Sequence, residues 1–206
     1  MKGPARNRRG SDVDLVLGPA TVQLLLPHRR PFLMVDGVDA FDPDPPARIE
    51  AHRHVSMNEP YFAGHFPEMP LWPGALTMEG LGQCAALLST LGRLVHGGGE
   101  GDDALEWLRN IDRGYRMHPG YRPDSVPPLL RRLRTRAAEV TVGAAVDMKF
   151  LKPVFPGCRL DYVVELTDDF GDRVRFTGEA RVEGEPVVRG TITGAIVSRP
   201  MLDDGE

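Results

Sequence analysis

The sequence predicts an α+β protein in which a curved antiparallel sheet wraps around one long central helix. The first observation is a run of apolar and small residues from about Gly74 to Val95, in which Glu79 is the only charge before Arg93. A helix that is apolar on every face has to be buried. The second observation is six strand-like segments, two before this helix and four after it, with turns that suit antiparallel neighbours. A sheet curved around the helix would cover it on all sides.

The composition is that of an ordinary globular protein. The chain has 206 residues, of which 41% are hydrophobic and 26% are charged, and this suits one domain with an addition. The net charge of −4 gives no overall attraction to nucleic acid or anionic lipid. Cys84 and Cys158 are too few for a disulfide framework, so a cytoplasmic location is expected. Because the apolar helix contains Glu79 and Gln83, it is interpreted as a core helix without a membrane role.

The remaining segments can be placed in order along the chain. Residues 1–18 are predicted to be a disordered basic tail, followed by a single domain over 19–200. A short helix is expected at 19–26, between Pro19 and Pro27. Strands are predicted where apolar residues alternate between turn residues. Their expected ranges are 32–38, 48–55, 140–150, 159–166, 173–182 and 186–198.

An arginine-rich insertion interrupts this domain at 97–139. From Leu105 to Glu139 the sequence has eight arginines and four acidic residues, in a chain that is acidic overall. Helical pieces are expected at 104–111 and 128–138. The ordinary interpretation of such a tract is a solvated helix face. The sharper interpretation is a docking patch for an acidic partner, with the arginines Arg131, Arg132, Arg134 and Arg136.

The residues with chemical potential lie in and just before the central helix, in the stretch GHFPEMPLWPGALTMEGLGQ at 64–83. The imidazole of His65 can exchange a proton near neutral pH. Gly74 follows a proline and suits a helix start, where unpaired backbone N–H groups favour negative charge. Burial of Glu79 would favour its protonated form, which can donate a proton. Gln83 lies one helical turn further on the same face and can hydrogen-bond that carboxyl.

Each of these residues also has a purely structural interpretation. A lone histidine after glycine is more often a hydrogen-bonded loop residue, and a lone glutamate can be a structural buried acid. His52 and His54 share a face of one predicted strand, but no third ligand is near them and ordinary strand polarity is favoured. No metal and no cofactor are therefore expected. What favours catalysis is the joint spacing of His65, Gly74, Glu79 and Gln83.

Three stretches of the chain form a recognisable set. They are LLPHRRPFLMVD at 24–35, NEPYFAGHFPEMPLWPGALTMEGLGQ at 58–83 and VDMKFLKPVFPGCRL at 146–160. In this order they resemble the signatures of the 3-hydroxyacyl-[acyl-carrier-protein] dehydratases, which have the hot-dog fold. The resemblance implies a homodimer with two sites at its interface, often as a trimer of dimers. It also implies that water is eliminated, without a cofactor, from a 3-hydroxyacyl group carried on acyl carrier protein.

The resemblance implies a role for five residues of the central stretch. His65 corresponds to the catalytic histidine and Glu79 to the catalytic acid, where the related dehydratase-isomerase branch has Asp. Gly74 matches the glycine whose backbone N–H contacts the thioester carbonyl. Leu71 matches the position whose carbonyl orients the histidine, and Gln83 matches the residue that supports the acid. In the family, the histidine and the acid of one site come from different subunits.

Two features depart from the family pattern and leave acyl-chain preference, access to the site and higher oligomeric state open, beside alternatives for the function itself. Residues 97–139 are much longer than the connection expected there, and Trp72 is bulkier than the usual residue before Pro-Gly. The alternatives are a hot-dog thioesterase or isomerase, and a non-catalytic hot-dog subunit that binds acyl carrier protein. Because acyl carrier protein is acidic, the four insertion arginines are expected to dock it, while nucleic acid is disfavoured as a partner.

Overall fold

The computed structural model describes residues 15–96, 99–118, 120–121, 125–135 and 139–198, without the side chains at 132–142 and 196–198. In these ranges the α-helices are α1 (Pro19–Leu25), α2 (Gly74–Val95), α3 (Gly99–Met117) and α4 (Pro128–Thr135), with a 3₁₀ turn at Pro60–Ala63. The strands are β1 (Gly37–Asp42), β2 (Arg48–Val55), β3 (Glu139–Phe150), β4 (Cys158–Asp169), β5 (Arg173–Val182) and β6 (Glu185–Ser198).

The six strands form one antiparallel sheet in the order β1-β2-β4-β5-β6-β3. The central helix α2 packs on this sheet and contacts every strand from β2 to β6. Its side chains Leu81, Leu87 and Leu91 are buried in the same core as Tyr162 and Val164 of β4. A long helix held by one antiparallel sheet is the hot-dog arrangement, so the predicted fold is confirmed.

Burial of α2 accounts for the apolar run in the sequence. Ten of its 22 residues are buried. The helix approaches the middle of the sheet closely because residue 80 is glycine, and a Cβ at this position would overlap the hydroxyl group of Tyr162. Within the described ranges, none of the helices has the length and hydropathy needed to cross a bilayer.

Most predicted element bounds are confirmed. α1, α2, β2 and β5 match the expected ranges to within a residue, and β3, β4 and β6 are slightly longer than expected. The predicted position of the first strand is wrong: the prediction was 32–38, and the strand lies at Gly37–Asp42. Backbone groups at residues 32–34 bond instead to the side chains of Gln83 and Arg53.

The chain enters the fold earlier than the sequence predicted. Leu17 forms an antiparallel bridge with Val38 of β1, and Leu15 and Leu17 are both buried in the core. The prediction of a disordered tail is therefore wrong for residues 15–18, because the side chains of Leu15 and Leu17 have a place in the core. Residues 1–14 lie outside the described part of the chain.

The first helix of the insertion is part of the hydrophobic core. α3 is longer than the helical piece expected at 104–111, and it packs on both α2 and α1. Leu105 and Leu108 belong to the same buried cluster as the residues of α2. The carboxylate of Asp112 accepts a hydrogen bond of 2.6 Å from the amide of Gly18, just before α1. The insertion is thus anchored to the body of the protein by apolar and polar contacts.

Candidate active site

His65 lies in the loop before α2, and a backbone carbonyl orients its ring. Its Nδ1 atom is 2.8 Å from the carbonyl oxygen of Leu71. Because a carbonyl oxygen can only accept, Nδ1 carries the hydrogen and Nε2 keeps a free lone pair. The loop is held by bonds of 3.0 Å from the His65 amide to the Tyr61 carbonyl and from the Leu71 amide to the His65 carbonyl. His65 is thus held in the tautomer that can act as a base at Nε2.

A cavity of about 510 Å³ lies beside His65. Its lining includes Leu71, the start of α2 at Gly74, and Phe150 and Val154 at and beyond the end of β3. The first amides of a helix have no acceptor within the helix, so the start of α2 offers N–H groups at the positive end of its dipole. Three of the predicted site residues, His65, Leu71 and Gly74, therefore meet around one cavity.

Phe150 explains why residue 74 is glycine. A Cβ at this position would lie 2.6 Å from the Phe150 ring. Any other residue would have to displace the ring or shift the start of α2. Phe150 was not singled out from the sequence, although it lies in the family stretch at 146–160. Membership of that stretch is the one signal that could have found it.

Glu79 has a different place on α2. As the helical spacing predicted, Nε2 of Gln83 donates to Oε1 of Glu79 over 2.9 Å. Among the described residues that line the cavity beside His65, Glu79 is absent, so a single chain does not bring the two predicted catalytic side chains together. The side chain of Glu79 is 29% exposed. Its predicted burial is therefore wrong for the single chain, because the chain's own sheet does not fully cover this part of α2.

Gln83 is held by two backbone groups of the segment before β1. The amide of Met34 donates to its Oε1 over 2.8 Å, and its Nε2 donates to the carbonyl of Phe32 over 2.8 Å. A donor on one side and an acceptor on the other leave a single orientation for the side-chain amide, with Nε2 toward Glu79. Gln83 is only 2% exposed, so water does not compete for these bonds.

His28 lies beside Glu79, and sequence reasoning missed it. Its Nε2 is 3.7 Å from Oε1 of Glu79, which is too long for a hydrogen bond but places the imidazole next to the carboxyl. The residue belongs to the family stretch at 24–35, which was used only for the resemblance. The polar surroundings of the acid therefore include His28 and Gln83.

His52 and His54 of β2 show ordinary strand polarity. Nδ1 of His52 is 3.0 Å from a carboxylate oxygen of Asp39, and the two imidazole rings meet edge to face with centroids 5.1 Å apart. In the described part of the chain, no group of three or more His, Cys, Asp or Glu side chains is placed to hold a metal ion.

Only one of the four arginines predicted to dock a partner has a described side chain. Arg131 is exposed, and its guanidinium donates to the carbonyl of Val126 over 3.3 Å. The side chains of Arg132 and Arg134 in α4 are not described, and Arg136 lies outside the described residues. The docking patch stays a prediction.

The wrapped central helix, with a histidine and the helix start at one cavity, defines a protein of the hot-dog class. The chain is 35% identical over 184 residues to 3-hydroxyacyl-[acyl-carrier-protein] dehydratase FabZ of Anaeromyxobacter sp. (strain K). The aligned residues cover 89% of this chain and 93% of that relative. It is 33% identical to the FabZ of Aliivibrio fischeri, over 81% of this chain and 84% of that relative. The chain belongs to the 3-hydroxyacyl-[acyl-carrier-protein] dehydratase family.

Two family models match different parts of the chain. The FabA-like domain matches residues 26–108, which contain all five predicted residues of the central stretch. The fluoroacetyl-CoA-specific thioesterase model matches residues 132–200, which contain none of them. Among solved structures, the dehydratase heterocomplex ApeI:P from Xenorhabdus doucetiae is 17% identical, with a TM-score of 0.47 over 86% of this chain and 91% of that chain. That similarity is too weak to support an inference.

Proposed function

We propose that the protein is a lyase that dehydrates 3-hydroxyacyl thioesters on acyl carrier protein to trans-2-enoyl thioesters, in fatty acid or polyketide-type biosynthesis. The observation that carries the proposal is the bond from His65 Nδ1 to the Leu71 carbonyl, which leaves Nε2 as a base in the cavity that Gly74 borders. The relatives from Anaeromyxobacter and Aliivibrio are dehydratases by name and support the same reaction.

The first half of the reaction removes the proton from C2 of the substrate. His65 takes this proton at Nε2 while electrons move toward the thioester carbonyl oxygen. The backbone N–H of Gly74, at the positive end of α2, hydrogen-bonds that oxygen and stabilises the developing charge. The chemistry of an oxyanion site therefore needs only the helix start and no metal ligand.

The second half breaks the bond between C3 and the hydroxyl oxygen. Protonated Glu79 gives its proton to the leaving hydroxyl group, which departs as water. Gln83 binds one carboxyl oxygen of Glu79 and leaves the other free to carry the proton. Transfer of the C2 proton from His65 to Glu79 through solvent restores both groups, so the reaction needs no cofactor.

We further propose that each site is shared by the two subunits of a homodimer. Glu79 lies away from the His65 cavity of its own chain, which supports a partner as the source of the acid. Strand β3 supports the same proposal, since it is an edge strand of the sheet and residues 143–150 are mostly exposed. An edge strand with exposed apolar side chains such as Val146 and Phe150 is a template for pairing with a second copy.

The dimer can be tested at the β3 edge. Val146→Lys should convert the protein from a dimer to a monomer in analytical ultracentrifugation and abolish the dehydratase activity with it. Thr177→Lys adds the same charge to an exposed position of the inner strand β5 and should remain dimeric and active. If the fraction of dimer in Val146→Lys depends on protein concentration as it does in the wild type, pairing through this edge is refuted.

The remaining expectations are part of the same proposal. The domain predicted at 19–200 is a single domain that already begins at Leu15, and the core that α3 shares with α2 supports this view. The family resemblance implies that such dimers often assemble further into a trimer of dimers. A reducing cytoplasm is supported by Cys84 and Cys158, which are both free thiols.

Docking of the acidic carrier protein is proposed for the insertion arginines. Mutating Arg131, Arg132, Arg134 and Arg136 together should raise the KM for a carrier-linked substrate, while kcat for a small pantetheine thioester stays constant. An unchanged KM for the carrier-linked substrate would overturn this part of the proposal.

The experiment that tests the main proposal is hydration of a trans-2-enoyl thioester, followed by loss of its conjugated absorbance. The wild type should be active, and His65→Ala and Glu79→Gln should each lower kcat by about 10²–10⁴-fold. Absence of turnover in the wild type, with carrier-linked substrates of several lengths, would instead support a non-catalytic binding subunit.

A thioesterase is the second candidate, because the thioesterase model matches residues 132–200. It predicts release of a free thiol from an acyl thioester, which a thiol reagent detects in the same reaction mixture. The dehydratase proposal predicts no thiol release, since the thioester bond stays intact. Thiol release that keeps pace with the loss of enoyl absorbance would favour the thioesterase, because hydrolysis also removes the conjugated thioester.

A further inference from the structure

Arg53 on β2 is a fully buried cation between the two segments that carry the site. Its side chain is 0% exposed, at an inward-facing position of a strand that otherwise buries apolar residues. Burial of a charge is costly unless several groups bind it. One such group is Glu59, whose Oε1 accepts a bond of 2.5 Å from Nη2. A second is the carbonyl of Leu33, which accepts a bond of 2.8 Å from Nη1.

The bond to Leu33 holds the segment that fixes the acid. Leu33 lies between Phe32 and Met34, whose backbone groups bind the side chain of Gln83. Gln83 in turn binds the carboxyl of Glu79. Asp36 reinforces this side, because it lies 3.7 Å from Nη1 and accepts a bond of 2.7 Å from the amide of His54. Any shift of the Leu33 carbonyl would therefore reach Glu79 through one side chain.

The bond to Glu59 holds the segment that fixes the base. Glu59 precedes the 3₁₀ turn, and its carbonyl accepts a bond of 3.3 Å from the amide of Phe62. Two residues further along the turn, the carbonyl of Tyr61 accepts a hydrogen bond from the His65 amide. The guanidinium of Arg53 also lies over the ring of Trp72, with 5.3 Å from Cζ to the ring centroid. Trp72 directly follows Leu71, whose carbonyl orients the imidazole.

We infer that Arg53 is a positioning residue that aligns the base and the acid through its two guanidinium arms. The inference rests on the proposed function and extends it. Because the base and the acid of one subunit serve opposite sites of the dimer, one Arg53 aligns half of each site. A planar guanidinium can bind two acceptors in fixed directions, whereas the ammonium group of lysine is a single point donor. Glu59 binds only the guanidinium arm that holds the segment of the base, His65.

Heterodimers allow each arm to be tested separately. A heterodimer of a His65→Ala subunit and a Glu79→Gln subunit has one intact site, with His65 from the second subunit and Glu79 from the first. Arg53→Met is then introduced into either subunit. Misplacement in either half should lower kcat per intact site by about 10–100-fold, with a smaller change in KM. Arg53→Lys should recover only part of this loss.

Glu59→Gln is the matched control for the two arms. It should lower kcat when it is placed in the subunit that supplies His65, and have less than a fifth of that effect in the subunit that supplies Glu79. A residue with a merely structural role would lower the thermal midpoint and the yield of folded protein, but not kcat per folded site. Thermal unfolding and active-site concentration are therefore measured for every variant.

The outcomes separate this inference from the proposed function. An inactive wild type refutes the function. If the wild type is active and the heterodimer is not, the shared site is refuted, and Arg53→Met and Arg53→Lys in the wild-type background still test the alignment through kcat. The inference is overturned if both Arg53 variants keep the wild-type kcat per folded site. It is also overturned if Arg53→Met lowers kcat in only one of the two subunits of the heterodimer. A lower kcat with Arg53→Met in each of the two subunits, tested separately, supports it.

Discussion

Gln83 donates an amide hydrogen to the carboxyl of Glu79, one helical turn away, over 2.9 Å. The same amide group is clamped between the Met34 amide and the Phe32 carbonyl. The candidate acid is therefore oriented by the segment before β1, through a side chain that water does not reach. This relationship connects the first and second family stretches through the side chain of Gln83.

Replacement of Gln83 should reduce catalysis and stability together. In Gln83→Leu, the carboxyl of Glu79 loses its orienting donor, and the backbone groups of Phe32 and Met34 lose their partner. We expect kcat for enoyl hydration to fall at least tenfold. The free energy of unfolding should decrease by about 1–3 kcal/mol, as measured by urea denaturation.

Ser89→Ala is a suitable control for Gln83→Leu. Ser89 lies on the same helix, and its hydroxyl donates only to the carbonyl of Ala85 one turn earlier. The control should keep the wild-type kcat and nearly the wild-type stability. A Gln83→Leu protein with wild-type kcat would contradict the role assigned to Gln83.

The contact between residue 74 and Phe150 predicts a sterically controlled loss of activity. In Gly74→Ala, the new Cβ meets the Phe150 ring and shifts the backbone N–H that faces the thioester oxygen. We expect kcat/KM to fall by about 10²-fold, the effect of losing one oxyanion donor. The added Phe150→Ala change should restore part of the activity, because it removes the obstruction.

Gly82→Ala provides the control for this steric effect. It lies on the same helix, and nothing lies within 4 Å of the position that its Cβ would take. This variant should keep its activity and gain a little stability, since alanine is the better helix former. Full activity in Gly74→Ala would mean that the ring moves aside without consequence and would contradict the prediction.

The lowered pKa of Asp39 predicts a pH dependence of stability that is separate from catalysis. Burial alone would raise the pKa of Asp39, but its hydrogen bond to His52 and the charges of His52 and Arg159 lower it overall. The folded pKa is then below the unfolded value of about 3.9, so the unfolded state takes up protons first as the pH falls. The stabilisation is complete above the unfolded value and is lost as the pH falls through the folded pKa.

Asp39→Asn should therefore be less stable than the wild type at pH 7, by about 1 kcal/mol, which is the typical net contribution of a hydrogen bond. The difference should shrink as the pH falls below the unfolded value, which thermal melts at several pH values can measure. Asp44→Asn, in the exposed turn before β2, is the matched control. An equal loss of stability at all pH values would contradict the assigned cause.

The sequence predicted those parts of the fold in which a local pattern and the tertiary contacts agree. The long apolar run predicted the bounds of α2 correctly, although only ten of its 22 residues are buried. The first strand was misplaced because the apolar run at 32–35 has the composition of a strand. Its backbone groups instead bind Gln83 and Arg53, and such side-chain partners leave no periodic signal.

The site was predictable residue by residue but not as an arrangement. The spacing from His65 to Gln83 indicated candidate catalytic groups, and the bonds of His65 and Gln83 have the predicted partners. Two features escaped the sequence. Arg53 occupies an inward position where a charged residue is not expected, and Glu79 is partly exposed on a helix whose sequence is apolar on every other face.

The central claim is that His65 and Glu79 of different subunits together dehydrate the substrate. The most direct test is the activity of a purified heterodimer of His65→Ala and Glu79→Gln subunits, co-expressed with two different tags. Each variant homodimer should be inactive, and the heterodimer should recover about half of the wild-type kcat, because one of its two symmetric sites is intact. An inactive heterodimer, with wild-type stability and an active wild-type control, would contradict the shared site.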